Sequence, residues 1–375
     1  MKNFKYYTLF LAFVAGIGLS SCADMIEVEN KPFDHIGGYN TMNNEKSEEY
    51  YANLREYKKQ AMNYGRPVAF GWFSSWMPAG VGRHGYLASM PDSMDIVSMW
   101  SGAPNRFEIT PQQKADKEFV QKVKGTKLLE VCLIGYIGKG RTPQSVYDEV
   151  DKKATAEGWF ENKQRLTDAY IKARWKFWGY EGVPETKNHY ECLDKYANAL
   201  VDSLIANDWD GYDIDWEPGS GTFDLDGTCQ TDEHVIYLIK KMGERIGPNS
   251  DPEGKGHKLL CYDGDEIAFK GELDPYIDYW IAQTYGRFPS INHLRVDSKK
   301  FILTENFEKN FEHGGLLLRH AALMPDKGYK GGFGAYRFDN DYDNMPNYKW
   351  MRRAIQINQE VFQKRKAEEA GTEGK

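Results

Sequence analysis

The run Asp208-Trp209-Asp210-Gly211-Tyr212-Asp213-Ile214-Asp215-Trp216-Glu217 alternates acidic with large apolar residues. Successive side chains on a strand point to opposite faces, so a strand here sends Asp213, Asp215 and Glu217 to one side and Tyr212, Ile214 and Trp216 to the other. The apolar trio needs a covering layer of helices. That leaves the three acids inside a closed sheet, with Glu217 at the C-terminal mouth, where barrels of parallel strands place their chemistry. A solvated edge strand would not carry three large apolar residues at the alternate positions.

Outward from this stretch, Leu193, Tyr196, Ala197, Leu200, Val201, Leu204 and Ile205 recur at helical spacing and run directly into it. Strand-like runs fall at 67–73, 94–100, 127–136, 211–217, 258–262, 279–285, 301–304 and 332–336, and a last helical pattern covers 348–362. Eight β-then-α units in file predict a (β/α)8 TIM barrel. An open doubly wound sheet is the runner-up, but no glycine-rich nucleotide turn follows the first strand. About 70 residues separate strands 3 and 4 and include Trp159, Trp175 and Trp178. This is too long for one crossover helix, so an extra insertion between strands 3 and 4, a subdomain or lid over the barrel mouth, is expected.

The 375 residues are 41% hydrophobic and 14% aromatic with a net charge of −7, which excludes a disordered chain and leaves no source for a phosphate-tracking surface. Nucleic acid is therefore not an expected partner, whereas abundant Tyr, Phe and Trp suit the faces of sugar rings. Lys2 and Lys5 precede an apolar run over 7–19 that is too short to span a bilayer, and Leu19-Ser20-Ser21-Cys22 follows. This pattern resembles the lipobox of bacterial lipoproteins. It implies a signal peptide over 1–21, lipid attachment at Cys22, a tether over 22–46 and one domain over 47–375. The protein is then expected as a monomer anchored to the membrane, at the outer membrane or cell surface. Cys132, Cys192, Cys229 and Cys261 match no metal-binding spacing and read as small buried hydrophobes, with pairing left open. The eight histidines show no paired spacing.

Three carboxyl groups stacked in a confined interior cannot all ionise, so protons are shared along the row and an acid stays protonated near neutral pH, as general acid catalysis requires. Carboxylates at i, i+2 and i+4 could instead share a divalent cation, but no histidine ligand lies nearby and the spacing is not that of a calcium loop. No metal and no cofactor are expected.

Asp210-Gly211-Tyr212-Asp213-Ile214-Asp215-Trp216-Glu217 resembles the D-G-x-D-x-D-x-E signature of glycoside hydrolase family 18, the chitinases and endo-β-N-acetylglucosaminidases, on the fourth strand of a (β/α)8 barrel. Gln283-Thr284-Tyr285 resembles the family's M/Q-x-Y element, and Gly331-Gly332-Phe333-Gly334-Ala335-Tyr336 its eighth-strand segment. Gln283 and Tyr336, where chitinases usually carry Met and Trp, resemble the branch that cuts the GlcNAc–GlcNAc core of N-glycans. The family's S-x-G-G element is absent from the third strand.

The resemblance implies that Glu217 protonates the leaving oxygen while the substrate's own 2-acetamido carbonyl attacks the anomeric carbon, with retention. Asp215 would orient the acetamido group, Asp213 would exchange a proton or hydrogen bond with Asp215, and Tyr285 would donate its hydroxyl. Gln283, Tyr336, Trp72 and Trp100 are the expected substrate-binding residues, with Trp76 and Tyr136 as further sugar platforms. Asp210 and Gly211 would brace the strand. A chitinase, or a non-catalytic glycan-binding protein of the same fold, are the alternatives.

Overall fold

Eight parallel strands close into a barrel in the order in which they occur in the chain. They are β1 (Val68–Phe73), β2 (Ile96–Met99), β3 (Lys127–Leu133), β4 (Gly211–Trp216), β5 (Leu259–Gly264), β6 (Tyr279–Ala282), β7 (Phe301–Asn306) and β8 (Gly332–Tyr336). The computed structural model describes residues 46–80, 82–100, 109–183, 186–217 and 231–373. Cys22, Cys229 and the proposed leader and tether lie outside them, apart from the last residue of the tether.

The helices are α1 (Glu48–Met62), α2 (Pro111–Glu118), α3 (Gln144–Ala156), α4 (Lys163–Trp178), α5 (Lys187–Ala206), α6 (Asp232–Met242), α7 (Leu317–Ala322) and α8 (Lys349–Glu373), with a single turn of helix at Phe307–Asn310. The expected β-then-α alternation holds for only part of the ring. β1 to β2, β5 to β6 and β6 to β7 are joined by short 3-10 turns and irregular segments. Pro78 and Pro91, Gly271 and Pro275, and Gly286 and Pro289 interrupt those three crossovers, where a continuous helix would lose backbone bonds.

Two apolar layers follow from the alternation along the strands. Val68, Phe70, Ile96, Leu129, Leu259, Cys261, Tyr279, Ile281 and Ile302 pack inside the barrel. Tyr212, Ile214 and Trp216 face outward and pack with Leu193, Tyr196, Leu200, Val201 and Leu204 of α5. The α5 stripe begins where Thr186 accepts a hydrogen bond from the His189 amide, an N-cap that fixes the helix start. Burying a Leu or Val of this kind contributes about 1.5–3 kcal/mol, so the face as a whole secures β4 against its helix.

Gly211 opens β4 because nothing larger fits. A Cβ there would stand 2.5 Å from the Leu259 carbonyl oxygen and 2.8 Å from Leu129 Cδ2. At the opposite end from the mouth, Arg66 donates two hydrogen bonds to Asp95, at 2.9 and 2.5 Å, and Asp95 also accepts from the Ala69 amide at 2.8 Å. α1, which carries no strong sequence signal, leads into this floor through Ala61 and the buried Lys58.

The expected insertion is an αα-hairpin, α3 and α4, that follows the C-terminal end of β3. Trp159 and Trp178 are buried in it, Trp178 Nε1 donates to Thr142 Oγ1 at 2.9 Å, and the Trp178 ring packs edge-on against Tyr196 of α5 at 5.7 Å. Arg174 of α4 lies over the ring of Tyr136 at 3.8 Å, so Tyr136 ties β3 to the hairpin. Cys132, Cys192 and Cys261 are buried and free.

Candidate active site

β4 sends its acids inward, in register with β3 on one side and β5 on the other. Val131 and Cys261 flank Asp213, and Leu133 and Asp263 flank Asp215. Asp213 and Asp215 are fully buried and Asp263 is 1% exposed. Glu217, one residue past the end of β4, is half-buried at the mouth.

Asp213 is held by two donors on one oxygen: Trp72 Nε1 from β1 at 3.1 Å and Ser98 Oγ from β2 at 2.7 Å, both to Oδ2. Burial pushes the carboxyl up to about 7, against the pull of those two hydrogen bonds. Asp215 accepts no hydrogen bond from a described donor at either oxygen. Burial first, then the charges of Glu217 and Asp213, raise it well above the ordinary carboxyl range.

Asp263 escaped the sequence reading. It is the last but one residue of β5, two residues past Cys261 on the same face, and the apolar run suggested a strand that stopped at 262. Both its oxygens lack a described partner, and burial together with Asp213, Asp215 and Glu217 drives its carboxyl well above the ordinary range. As carboxylates, Asp215 and Asp263 have no hydrogen to share. Once one carries a proton, its O–H can bond to the other.

Tyr285 follows β6 and is half-buried, its hydroxyl end enclosed. Burial, and then Asp263, Asp215 and Glu217, raise that hydroxyl well above 10, so it remains a donor at neutral pH. The Tyr336 ring at the end of β8 lies 6.1 Å from Tyr285, 5.6 Å from Trp100 and 6.2 Å from Trp72. Tyr336, Trp100, Tyr285 and Gln283 are all half-buried and form one aromatic and polar wall around the acids.

Two expected platforms need correction. Trp72 is 1% exposed, sits edge-on to Phe70 at 4.7 Å and spends its N–H on Asp213, so it lies beneath the site as a support. Trp76 donates to Asp116 of α2 at 2.9 Å and packs against Trp209, which takes it to the helical layer. Asp210 accepts from the Leu128 amide at 3.0 Å and from Gln121 Nε2 at 2.7 Å, and pairs with Lys127 at 3.3 Å, bracing the entry of β4. Among the described residues no group of three or more His, Cys, Asp or Glu is arranged to hold a metal ion.

A parallel barrel with a buried row of carboxyl groups ending in a mouth-facing glutamate, ringed by tyrosine and tryptophan, has the layout of a glycoside hydrolase. Comparison with known proteins gives the family. The model for glycoside hydrolase family 18, BT1044-like, matches residues 27–183, and that for the TIM-barrel domain of the endo-β-N-acetylglucosaminidase EndoS matches residues 177–307. The chain belongs to glycoside hydrolase family 18. A solved glutamate-to-glutamine variant of BT1044 is 28% identical over 84% of this chain and 93% of its own, with a TM-score of 0.62. An endo-β-N-acetylglucosaminidase from Cordyceps militaris, solved as a double variant with fucosyl-N-acetylglucosamine-Asn, is 16% identical over 84% and 96%, with a TM-score of 0.54, and shares the fold. No curated protein matches the sequence at a significant level.

Proposed function

We propose that this hydrolase is a retaining endo-β-N-acetylglucosaminidase that cuts the GlcNAc–GlcNAc core of N-glycans by substrate-assisted catalysis, anchored to the bacterial membrane through a lipid on Cys22. One observation carries the catalytic reading. The only half-buried acid of the row, Glu217, stands at the open end above three buried ones, with the Tyr285 hydroxyl among them.

In this reading Glu217 gives its proton to the glycosidic oxygen as the 2-acetamido carbonyl attacks the anomeric carbon, and the glycosidic bond breaks. The Asp215 carboxylate faces the resulting oxazolinium ion and accepts the acetamido N–H, in a site dry enough to make that attraction count. Tyr285 donates to the acetamido oxygen. Water then opens the ring, losing its proton to Glu217, and the configuration is retained. Trp100 and Tyr336 offer rings to the sugar, and Gln283 a polar edge. The match to the EndoS barrel spans every one of these residues from Asp213 to Tyr285, which supports the endoglycosidase over a chitinase.

Product masses from a panel of N-glycoproteins and chitin oligomers test the reading. Free glycan ending in one GlcNAc is expected from the glycoproteins. Glu217→Gln should abolish release and leave glycan binding intact. Release from chitin oligomers alone, or from nothing, overturns the assignment. For the anchor, Cys22→Ala is expected to move the protein from the membrane fraction to the soluble one; unchanged fractionation removes that part.

A further inference from the structure

The row of acids is held asymmetrically. Trp72 and Ser98 supply Asp213 with two hydrogens, and both go to its Oδ2. These bonds favour the charged form of Asp213. Among the described residues nothing comparable reaches its neighbours. Asp215 is fully buried and Asp263 1% exposed, and all four of their carboxyl oxygens lack a described partner. They are register partners on adjacent parallel strands, both facing into the barrel. Two unpartnered carboxyls in such a place are satisfied most simply by one proton between them, as a carboxyl-to-carboxylate hydrogen bond. The other ionisable groups that bear on the pair are Asp213 from β4 and Glu217 just past it, Cys132 from β3, Cys261 and Tyr262 from β5, Tyr285 from beyond β6, Tyr336 from β8 and Lys139 from the loop after β3.

We propose that Asp263 is the positioning residue for Asp215: the two share one proton in the resting enzyme, and that proton passes wholly to Asp263 when the substrate's acetamido group arrives. The O–H bond on Asp215 breaks as the one on Asp263 forms. The pair keeps one proton and one negative charge throughout, so Asp215 becomes the carboxylate that faces the oxazolinium ion without exchanging a proton with solvent. The two donors on Asp213 Oδ2 lower the affinity of that carboxyl for a proton against the effect of its burial, so the less well satisfied Asp263 is the stronger competitor for the proton of Asp215. The purpose assigned to the pair rests on the endoglycosidase reading; its existence does not.

Infrared spectroscopy of the full chain without substrate tests the pair, because a protonated carboxyl has a C=O stretch that a carboxylate lacks. At about pH 8, well above the ordinary carboxyl range, the wild type is expected to show a buried carboxylic acid band. Asp263→Asn should shift or remove that band, whereas Asp213→Asn should leave it in place. No band in the wild type, or a band unmoved by Asp263→Asn and lost in Asp213→Asn, overturns the proposal. In turnover, Asp263→Asn is expected to lower kcat about 10- to 100-fold with little change in KM, the scale of losing a positioned acid–base partner. Its acidic limb in kcat/KM should move to higher pH, because the O–H of protonated Asp263 is a stronger donor to the Asp215 carboxylate than an amide N–H and so holds off its protonation to lower pH. Unchanged kcat and an unmoved limb remove the catalytic role even if the band responds. An inactive wild type with the expected infrared pattern would sink the endoglycosidase reading and leave the shared proton standing.

Discussion

Replacing Asp213 by Asn removes a charge that the barrel accommodates at a cost. Asp213 is fully buried, and its carboxyl is raised from 3.8 to about 7. The folded protein thus binds this proton more tightly than the unfolded chain. The sign follows: its penalty is absent well below 3.8, where both states are protonated, and grows as pH rises to about 7, where both become ionised. At about 1.4 kcal/mol per pH unit over about three units, the full penalty is about 4 kcal/mol. Asn is neutral throughout and keeps an oxygen for Trp72 and Ser98. Between about pH 5 and pH 8 the variant should therefore gain about 3 kcal/mol on the wild type, since some two units of the rise lie in that window. Removing the Asp213 charge also relieves Asp215 and Asp263, whose carboxyls it helps to raise, and this adds to the gain in the same direction. Urea unfolding followed by tryptophan fluorescence at the two pH values measures the difference. A stability difference between variant and wild type that is the same at both, or that favours the wild type more at the higher pH, refutes the reasoning.

Two other changes probe the support of the site. Trp72→Phe keeps the ring but deletes the 3.1 Å donor to Asp213. A hydrogen bond to a charged group is worth about 1.5 kcal/mol, so the Asp213 carboxyl should rise by about one further unit, read as an upward extension of the pH window over which stability falls. Gly211→Ala forces a methyl group to within 2.5 Å of the Leu259 carbonyl and should cost about 1–3 kcal/mol by thermal unfolding, as overpacking in a closed core does. A variant as stable as the wild type would mean that β4 and β5 can part without loss.

β4 was legible because its period of two is written in contrasting chemistry. With acids on one face and Tyr212, Ile214 and Trp216 on the other, only one orientation buries the rings, and the sequence by itself determined which side chains enter the barrel. The amphipathic stripe from Leu193 to Ile205 and the count of eight strands followed from the same periodicities. Asp210 could likewise be set apart, by its parity, as a brace. β1 carried no such contrast. Val68–Phe73 is apolar on both faces and wholly buried, so nothing in its sequence separates a ring offered to a sugar from one tucked beneath the site. Closure of the barrel decided that, by bringing Trp72 to Asp213 across 141 residues of chain. It also decided the place of Asp263. One aspartate at the end of an apolar strand is unremarkable in sequence, and it gains its meaning from standing opposite Asp215. Which face a side chain takes is a local property of its strand. Which side chains meet depends on register and shear between strands, set by the packing of the whole ring, and no single segment encodes it.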